Sequence, residues 1–184
     1  MHTVPRSEIV DYQTWSDQRD NRLEAVLATK RTRRVHVGPH LTFLFENRDT
    51  VRWQVQEMMR VERIVRERDI QHELDTYNEL LGDQGDLGST LLIEIDDPED
   101  RDVKLTAWLD MPQHLYVELA DGSRVSAVFD DRQVGDQRLS SVQYLRFPVQ
   151  GRVPVAVGCS LPAHTHHHIL TEEQHAALTL DLTD

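Results

Sequence analysis

The chain has 184 residues and a formal net charge of −12, with 39% hydrophobic and 28% charged residues. This is the composition of a folded globular protein, and no apolar run approaches the roughly 20 residues that a transmembrane helix needs. The negative charge opposes contact with nucleic acid and anionic membranes, because like charges repel at long range. A single cysteine, Cys159, excludes an internal disulfide, and the first residues lack a signal-peptide pattern. We therefore expect a cytoplasmic protein with one domain over residues 1–184.

The charge is unevenly distributed along the chain. Residues 1–68 carry 13 Lys/Arg and 10 Asp/Glu, whereas residues 69–184 carry 7 and 22. The basic residues cluster in one run, KRTRR at 30–34. Such a run could contact nucleic acid, but it also suits the C-terminal end of a helix, where cations complement the helix dipole. We favour the helix end and do not expect nucleic-acid binding.

The first half of the chain is predicted to hold three helices and a β-hairpin. Apolar residues recur with a 3.6-residue period in the helices, and Gly38-Pro39 is a turn signal between two short runs of β-forming residues. Asn47 or Asp49 can cap the second helix. The predicted elements are an N-terminal helix over 7–34, strands over 34–38 and 41–46, and a helical pair over 49–81.

The second half is predicted to be rich in β-strands. Asp121-Gly122 joins two alternating runs, as in a tight hairpin. Asp97 and Pro98 favour a helix over a strand for the segment that they begin. The predicted elements are a strand over 90–95, the helix from residue 97, a hairpin over 114–129, strands over 138–149 and 152–160, and a short helix over 170–178.

This order predicts an α+β protein. Strands linked by short turns favour antiparallel pairing, and the helices need an apolar surface on which to pack. We expect a single domain with a mostly antiparallel sheet, helices packed on one side of it, and a β-rich C-terminal half over 90–160.

Several segments resemble a bacterial family, domain of unknown function 3501. They are FENRDT and QVQEM (45–50 and 54–58), ELDTYNELL (73–81), LLIEIDDP (91–98), SSVQYLRFP (140–148) and LPAHTHHH (161–168). The resemblance covers nearly the whole chain. It implies a link to iron or peroxide metabolism, because members are encoded near rubrerythrin-like diiron proteins and iron–sulfur oxidoreductases. A rubrerythrin-like or iron–sulfur redox protein is therefore the expected partner.

The chain departs from the family pattern at two positions. Trp53 and Gln143 stand where relatives have histidine. Any role that those imidazoles have in relatives is therefore absent from this chain or carried out by other residues. His166 matches a family histidine, which makes it the best single candidate for a ligand.

Glu62 interrupts an apolar stripe. Val51, Val55 and Met58 recur at helical spacing, and the next position on that face is Glu62. A buried carboxylate is costly unless a positive group meets it. Three possibilities remain open: an ion pair with an arginine of the first helix (Arg19 or Arg22), a metal ion, or simple exposure.

Glu57 lies on the same predicted helix as Glu62. Five residues of α-helix separate the two side chains by roughly 140° around the axis. They do not share a face, so they cannot form a two-carboxylate site by themselves.

Histidines cluster near the C-terminus at His164, His166, His167 and His168. In an extended segment, His164 and His166 share one side, as do His166 and His168. Neutral imidazoles bind zinc, iron and other transition metals, and Cys159 could add a thiolate. The alternatives are a solvent-exposed histidine-rich loop that binds metal only adventitiously, or a pH-sensitive surface patch.

We therefore predict a transition-metal-binding protein of iron- or peroxide-linked redox metabolism, as an accessory protein or an enzyme. The metal is iron or zinc, and the candidate ligands are His166, His164, His168, Glu62 and Glu57. The alternative is a non-enzymatic, metal-free interaction module that docks a redox partner through its acidic C-terminal half. No glycine-rich phosphate-binding motif occurs, so no nucleotide cofactor is expected.

Overall fold

The computed structural model describes residues 3–130, 134–135 and 137–183. A 3₁₀ turn at Arg6–Glu8 precedes the first helix. The helices are α1 (Tyr12–Arg31), α2 (Arg48–Glu62), α3 (Glu67–Asn78), α4 (Pro98–Ala107) and α5 (Glu172–Thr183). The strands are β1 (Arg34–Val37), β2 (Leu41–Phe45), β3 (Leu87–Ile93), β4 (Leu115–Leu119), β5 (Arg124–Ser126), β6 (Val142–Phe147), β7 (Pro154–Leu161) and β8 (His164–Ile169).

The strands form two antiparallel sheets of four strands each. The first has the order β1-β2-β3-β6 and the second β5-β4-β7-β8. This confirms a single α+β domain with antiparallel pairing. The predicted single sheet is instead divided in two: the chain passes from β3 through α4 to β4 and β5 of the second sheet, and then returns to the first sheet with β6.

The main core lies between the two sheets. Alternate residues of each strand face it, including Phe43, Phe45 and Phe147 from the first sheet and Val117 and Val157 from the second. Two helices add apolar side chains to the same core, Leu105 from α4 and Leu178 from α5. The two sheets are therefore held together by burial of one continuous apolar surface.

The edges of the two sheets come close to each other. On one side, Val128 and Arg146 exchange two backbone hydrogen bonds of 2.7 and 2.8 Å, which join the end of the second sheet to β6. On the other side β8 lies beside β1, without a hydrogen-bonded register among the residues described. We call this junction the β1–β8 seam; next to it, Gln174 Nε2 of α5 donates to the Arg34 carbonyl of β1 across 2.9 Å.

Helices α2 and α3 cover the outer face of the first sheet. Their buried residues form a second apolar cluster with Val51, Val55 and Met59 from α2 and Ile70 and Leu74 from α3. A third cluster packs α1 on α2, where Trp15 and Trp53 meet edge to face with centroids 5.1 Å apart.

Helix boundaries follow local capping chemistry. The Asp11 side chain accepts from the backbone of Gln13 and Thr14, so α1 begins at Tyr12 and not at the predicted residue 7. Asn47 and Thr50 form a capping box at the start of α2, and Arg63, with a φ of 54°, ends it. The α-helical interpretation of the segment after Asp97 is confirmed by α4.

Strand β8 was not predicted from the sequence. Its residues HTHHHI are poor in the β-branched and aromatic side chains that mark strands. Pairing with β7 over six residues, from Ala156–Ile169 to Leu161–His164, determines its conformation instead.

Candidate functional site

Glu57 lies in the interface between α1 and α2. Its carboxylate accepts hydrogen bonds from Trp15 Nε1 at 2.8 Å, Arg19 Nε at 3.0 Å and Arg60 Nε at 3.2 Å. Burial by itself raises the pKa of Glu57, but the hydrogen bonds from Arg60, Trp15 and Arg19 outweigh it, so the pKa lies below its ordinary value. Glu57 is therefore a charged group that holds two helices together.

Glu62 is exposed, which is the last of the three possibilities that the sequence left open. It is the last residue of α2, and the chain turns away from the apolar stripe at Arg63. Val61 and Val65, on either side, are also exposed. The ion pair considered for Glu62 forms instead at Glu57, whose Oε1 lies 3.0 Å from Arg19 Nε.

The histidines of β8 form a row on one face of the strand. His164 is buried and His166 and His168 are partly buried, whereas Thr165, His167 and Ile169 point to solvent. The rings of His164 and His166 have centroids 4.5 Å apart, and His40 stacks on His164 at 5.9 Å. The row of His164, His166 and His168 therefore lines the β1–β8 seam.

His164 has a buried ring nitrogen that has no hydrogen-bond partner among the described residues. This atom is Nε2, and His168 Nε2 is in the same condition. Burial lowers the pKa of His164, and the neighbouring His166, His40 and Lys104 lower it further, against a backbone contact with Val37 that raises it. His164 is therefore neutral at pH 7, which is the form that accepts a proton or a metal.

The five predicted ligands do not meet at one point. Glu57 is hydrogen-bonded to residues of α1 and α2, Glu62 is at the solvent-exposed end of α2, and the three histidines lie along β8. Across the described ranges, no group of three or more His, Cys, Asp or Glu side chains is arranged to hold a metal ion. His40, next to His164, has its Nε2 3.2 Å from the Lys104 ammonium, which opposes a cation there.

The two positions that depart from the family pattern lie apart. Trp53 packs on Trp15 between α1 and α2, outside the first sheet. Gln143 lies on the inner face of β6, where its Nε2 donates to the Ser140 carbonyl at 3.0 Å and its Oε1 is buried without a partner. Histidines at these two positions would not share one site in this fold.

A cavity of about 270 Å³ lies between the α2–α3 pair and the outer face of the first sheet. Its floor is a row of paired residues across four strands, Arg34 to Leu44 to Thr90 to Tyr144. Sequence reasoning did not identify this site, because its residues come from five separate segments. We call it the α2–α3 cavity; its lining is Lys30, Arg34, Leu44, Glu46, Thr50, Val51, Gln54, Tyr77, Leu80, Thr90, Leu92, Val142 and Tyr144.

Glu46 is the acidic residue of the α2–α3 cavity. The Thr50 hydroxyl donates to Glu46 Oε2 at 2.5 Å, and the Thr90 hydroxyl donates to Oε1 at 2.7 Å. The capping box at the start of α2 orients Thr50, because the Asn47 backbone amide donates to the same hydroxyl at 2.9 Å. Within the described residues no Lys or Arg side chain forms an ion pair with this carboxylate.

Two cations and two phenols also line the cavity. Lys30 is the next-to-last residue of α1 and Arg34 begins β1, and neither is within ion-pair distance of a described carboxylate. Burial raises the pKa of Tyr144, and the neighbouring Tyr77 and Glu46 raise it further. Tyr144 is thus a neutral hydrogen-bonding group at pH 7.

A larger cleft of about 560 Å³ shares Glu46 with this cavity. Its charged side chains other than Glu46 are paired with one another or with nearby groups, including Glu8 with Arg48 and Arg52, Asp86 with Arg146, and Asp181 with Arg33. Since these ion pairs already neutralise their members, the cleft offers a ligand fewer unpaired charged groups than the α2–α3 cavity does.

Fold and cavity together define an α+β protein with a small, mixed polar and apolar pocket on the outside of one sheet. The chain belongs to the family described as Protein of unknown function (DUF3501), whose model matches residues 3–182. The comparison with curated proteins finds no match.

A solved structure shares this architecture. It is the crystal structure of a protein of unknown function from Burkholderia pseudomallei, which is 29% identical to this chain. The similarity covers 98% of this chain and 99% of that one, with a TM-score of 0.89. In the part of the chain described, no helix is long and apolar enough to span a membrane.

Proposed function

We propose that this protein binds a small organic molecule in the α2–α3 cavity. The observation that carries the proposal is the Glu46 carboxylate, which is held by two threonine hydroxyls inside a cavity and has no cationic partner among the described residues. A charge that is fixed in place but not neutralised is a ready contact for a ligand. The cavity has the size of a small metabolite, at the lower end of ligand pockets in general.

The segments that carry the family resemblance supply much of this lining. FENRDT contributes Glu46 and Thr50, ELDTYNELL contributes Tyr77, and SSVQYLRFP contributes Tyr144. LLIEIDDP adds Leu92. These segments are distant along the chain and adjacent in the fold, as the parts of one binding site would be.

A fragment screen by two-dimensional NMR tests this proposal. We expect fragments to shift the resonances of Thr50, Thr90 and Tyr144 in the wild-type protein. Val142→Trp places a large side chain on the cavity wall and should abolish these shifts. Val103→Trp, on the exposed face of α4, is the matched control and should retain them. Absence of fragments at the cavity, or hits that persist in Val142→Trp, would refute the proposal.

A transition metal at the β8 row is the second candidate function. The observation in its favour is the buried, unpartnered Nε2 of His164 beside the His166 ring. Two neutral imidazoles can bind iron or zinc, with solvent or a partner protein completing the coordination. A redox role and a rubrerythrin-like or iron–sulfur partner would follow from the family resemblance.

Elemental analysis of untagged protein, purified without nickel resin, tests the metal candidate. We expect about one iron or zinc per chain, lost in His164→Ala and in His166→Ala and retained in His167→Ala, whose side chain points away from the row. Protein without metal, or metal content unchanged in the first two variants, would exclude a site at this row.

A further inference from the structure

The charges of the α2–α3 cavity are uncompensated at both signs. Glu46 has hydroxyl donors but no cation, while Lys30 and Arg34 have no carboxylate within ion-pair distance among the described residues. Lys30 can complement the end of the α1 dipole, but Arg34 lies beyond the helix on β1. A ligand with one positive and one negative group would neutralise both the Glu46 carboxylate and the two cations.

We propose that the ligand of the α2–α3 cavity is a small zwitterion with an apolar body, of the amino-acid type. This inference rests on the proposed function above. The ammonium group binds Glu46, and the carboxylate binds Arg34 and Lys30.

The sheet register places the two binding charges close together. Arg34 pairs with Leu44 across β1 and β2, and Glu46 is two residues further along, on the same face. Diagonal neighbours of this kind have side-chain origins about 7–8 Å apart. The two side chains thus start close together, which suits a ligand whose acidic and basic groups are joined by a short spacer, as they are in an α-amino acid.

The apolar wall lies on the opposite side of the cavity. Leu92 and Val142 are cross-strand partners on β3 and β6, and Tyr144 follows Val142 on the same face. Tyr77 of α3 faces the same space. Neighbouring strands are about 4.8 Å apart, so this wall begins roughly 10–14 Å from β1. That distance accommodates an aliphatic or aromatic side chain whose charged end is at Glu46 and Arg34.

Three matched probes separate the contributions of the two charges. L-Phenylalanine carries both charges, phenethylamine only the ammonium, and 3-phenylpropionate only the carboxylate. We expect L-phenylalanine to bind about tenfold more tightly than either of the others by NMR titration.

Variants of the full chain assign each charge to its residue. Glu46→Gln keeps a hydrogen-bond acceptor for the two threonines, and should remove the advantage of L-phenylalanine over 3-phenylpropionate. Arg34→Gln should remove its advantage over phenethylamine, and Lys30→Gln should reduce that advantage. Arg31→Gln, which changes the same basic run outside the cavity, should leave all three affinities unchanged.

The outcomes distinguish this inference from the proposed function. Equal affinities for the three probes would overturn the inference that the ligand is a zwitterion, and so would fragments bound at the cavity while none of the probes binds. Either result would leave the proposed binding site intact. If neither the probes nor any fragment binds at the cavity, both the zwitterion inference and the proposed function are overturned.

Discussion

Glu57 concentrates more polar contacts than any of the other predicted ligands. Trp15, Arg19 and Arg60 all donate to its carboxylate, and its side chain is only 17% exposed. These contacts join α1 to α2 at a point where both helices present charged residues. The carboxylate at the end of the same helix, Glu62, makes no comparable contact because α2 ends there.

We expect Glu57→Ala to lower the free energy of unfolding by about 2 kcal/mol, since three donors to a charged group lose their acceptor. Glu62→Ala is the matched control and should change stability by less than about 0.5 kcal/mol. Urea denaturation followed by circular dichroism measures both. Equal effects of the two substitutions would contradict the assignment of Glu57 as the interhelical anchor.

The lowered pKa of Glu57 also predicts acid sensitivity. Because the folded state holds this carboxyl deprotonated below its ordinary pKa of about 4.3, its contribution is complete above that pH. The contribution is lost as the pH falls through the lower pKa of the folded state. We expect the stability difference between wild type and Glu57→Gln to shrink as the pH falls from 6 to 3, measured by denaturation at each pH.

His164 predicts a second pH dependence, near neutrality. Its pKa is lowered by burial and by His166, His40 and Lys104, the last of which is paired with Asp100. The unfolded chain therefore binds a proton more readily, and stability is lost as the pH falls below the ordinary value of about 6.5. We expect His164→Leu to flatten this part of the pH–stability curve, whereas His167→Leu keeps the slope. A wild-type slope that persists in His164→Leu would place the pH dependence elsewhere.

At the scale of elements, the turn between β1 and β2 depends on Gly38. Its φ of 65° lies in the left-handed region, and a Cβ there would lie 2.4 Å from the His166 ring. The hairpin and the histidine row of β8 are thus fitted to each other across the β1–β8 seam.

We expect Gly38→Ala to destabilise the protein by about 3 kcal/mol, the sum of left-handed strain and overpacking. Gly122→Ala separates the two effects, because Gly122 has a φ of 81° but nothing within 4 Å of a Cβ, and should cost about 1–2 kcal/mol. Adding His166→Ala to Gly38→Ala should remove the overpacking, and so recover the stability by which Gly38→Ala costs more than Gly122→Ala. Thermal unfolding measures all three, and no recovery in the double variant would refute the contact.

At the scale of the whole molecule, a buried ion pair connects the segment after α1 with the C-terminal helix α5. Arg33 follows α1, Asp181 lies in α5, and their side chains form two hydrogen bonds of 2.7 Å. The side chains are only 10% and 9% exposed. Asn47 Nδ2 also donates to Asp181, so the start of α2 joins the same contact.

We expect Asp181→Ala to cost about 3 kcal/mol, because it leaves a buried guanidinium without its partner. Glu67→Ala removes a similarly bidentate but solvent-exposed partner of Arg6 and should destabilise the protein less, because solvent screens this pair. Urea denaturation of the two variants provides the comparison. A loss of stability from Asp181→Ala no larger than that from Glu67→Ala would show that α5 is held by its apolar contacts alone.

The sequence by itself determined the type of most elements and the family. Apolar periodicity, capping residues and turn residues act within a few positions, so α2, α4 and the Asp121-Gly122 turn were predictable from local chemistry. The α+β class and antiparallel pairing followed from the order of these elements. The family followed from motifs spread over the chain.

Only the tertiary structure decided where the side chains meet. Glu57 and not Glu62 faces Arg19, because the end of α2 depends on a single left-handed residue, Arg63. Strand β8 forms because β7 offers it an edge, and the division into two sheets depends on pairings between distant strands, β3 with β6 and β4 with β7. The α2–α3 cavity joins residues from Lys30 to Tyr144, and contacts between such distant segments depend on packing of the whole chain, which no local pattern records.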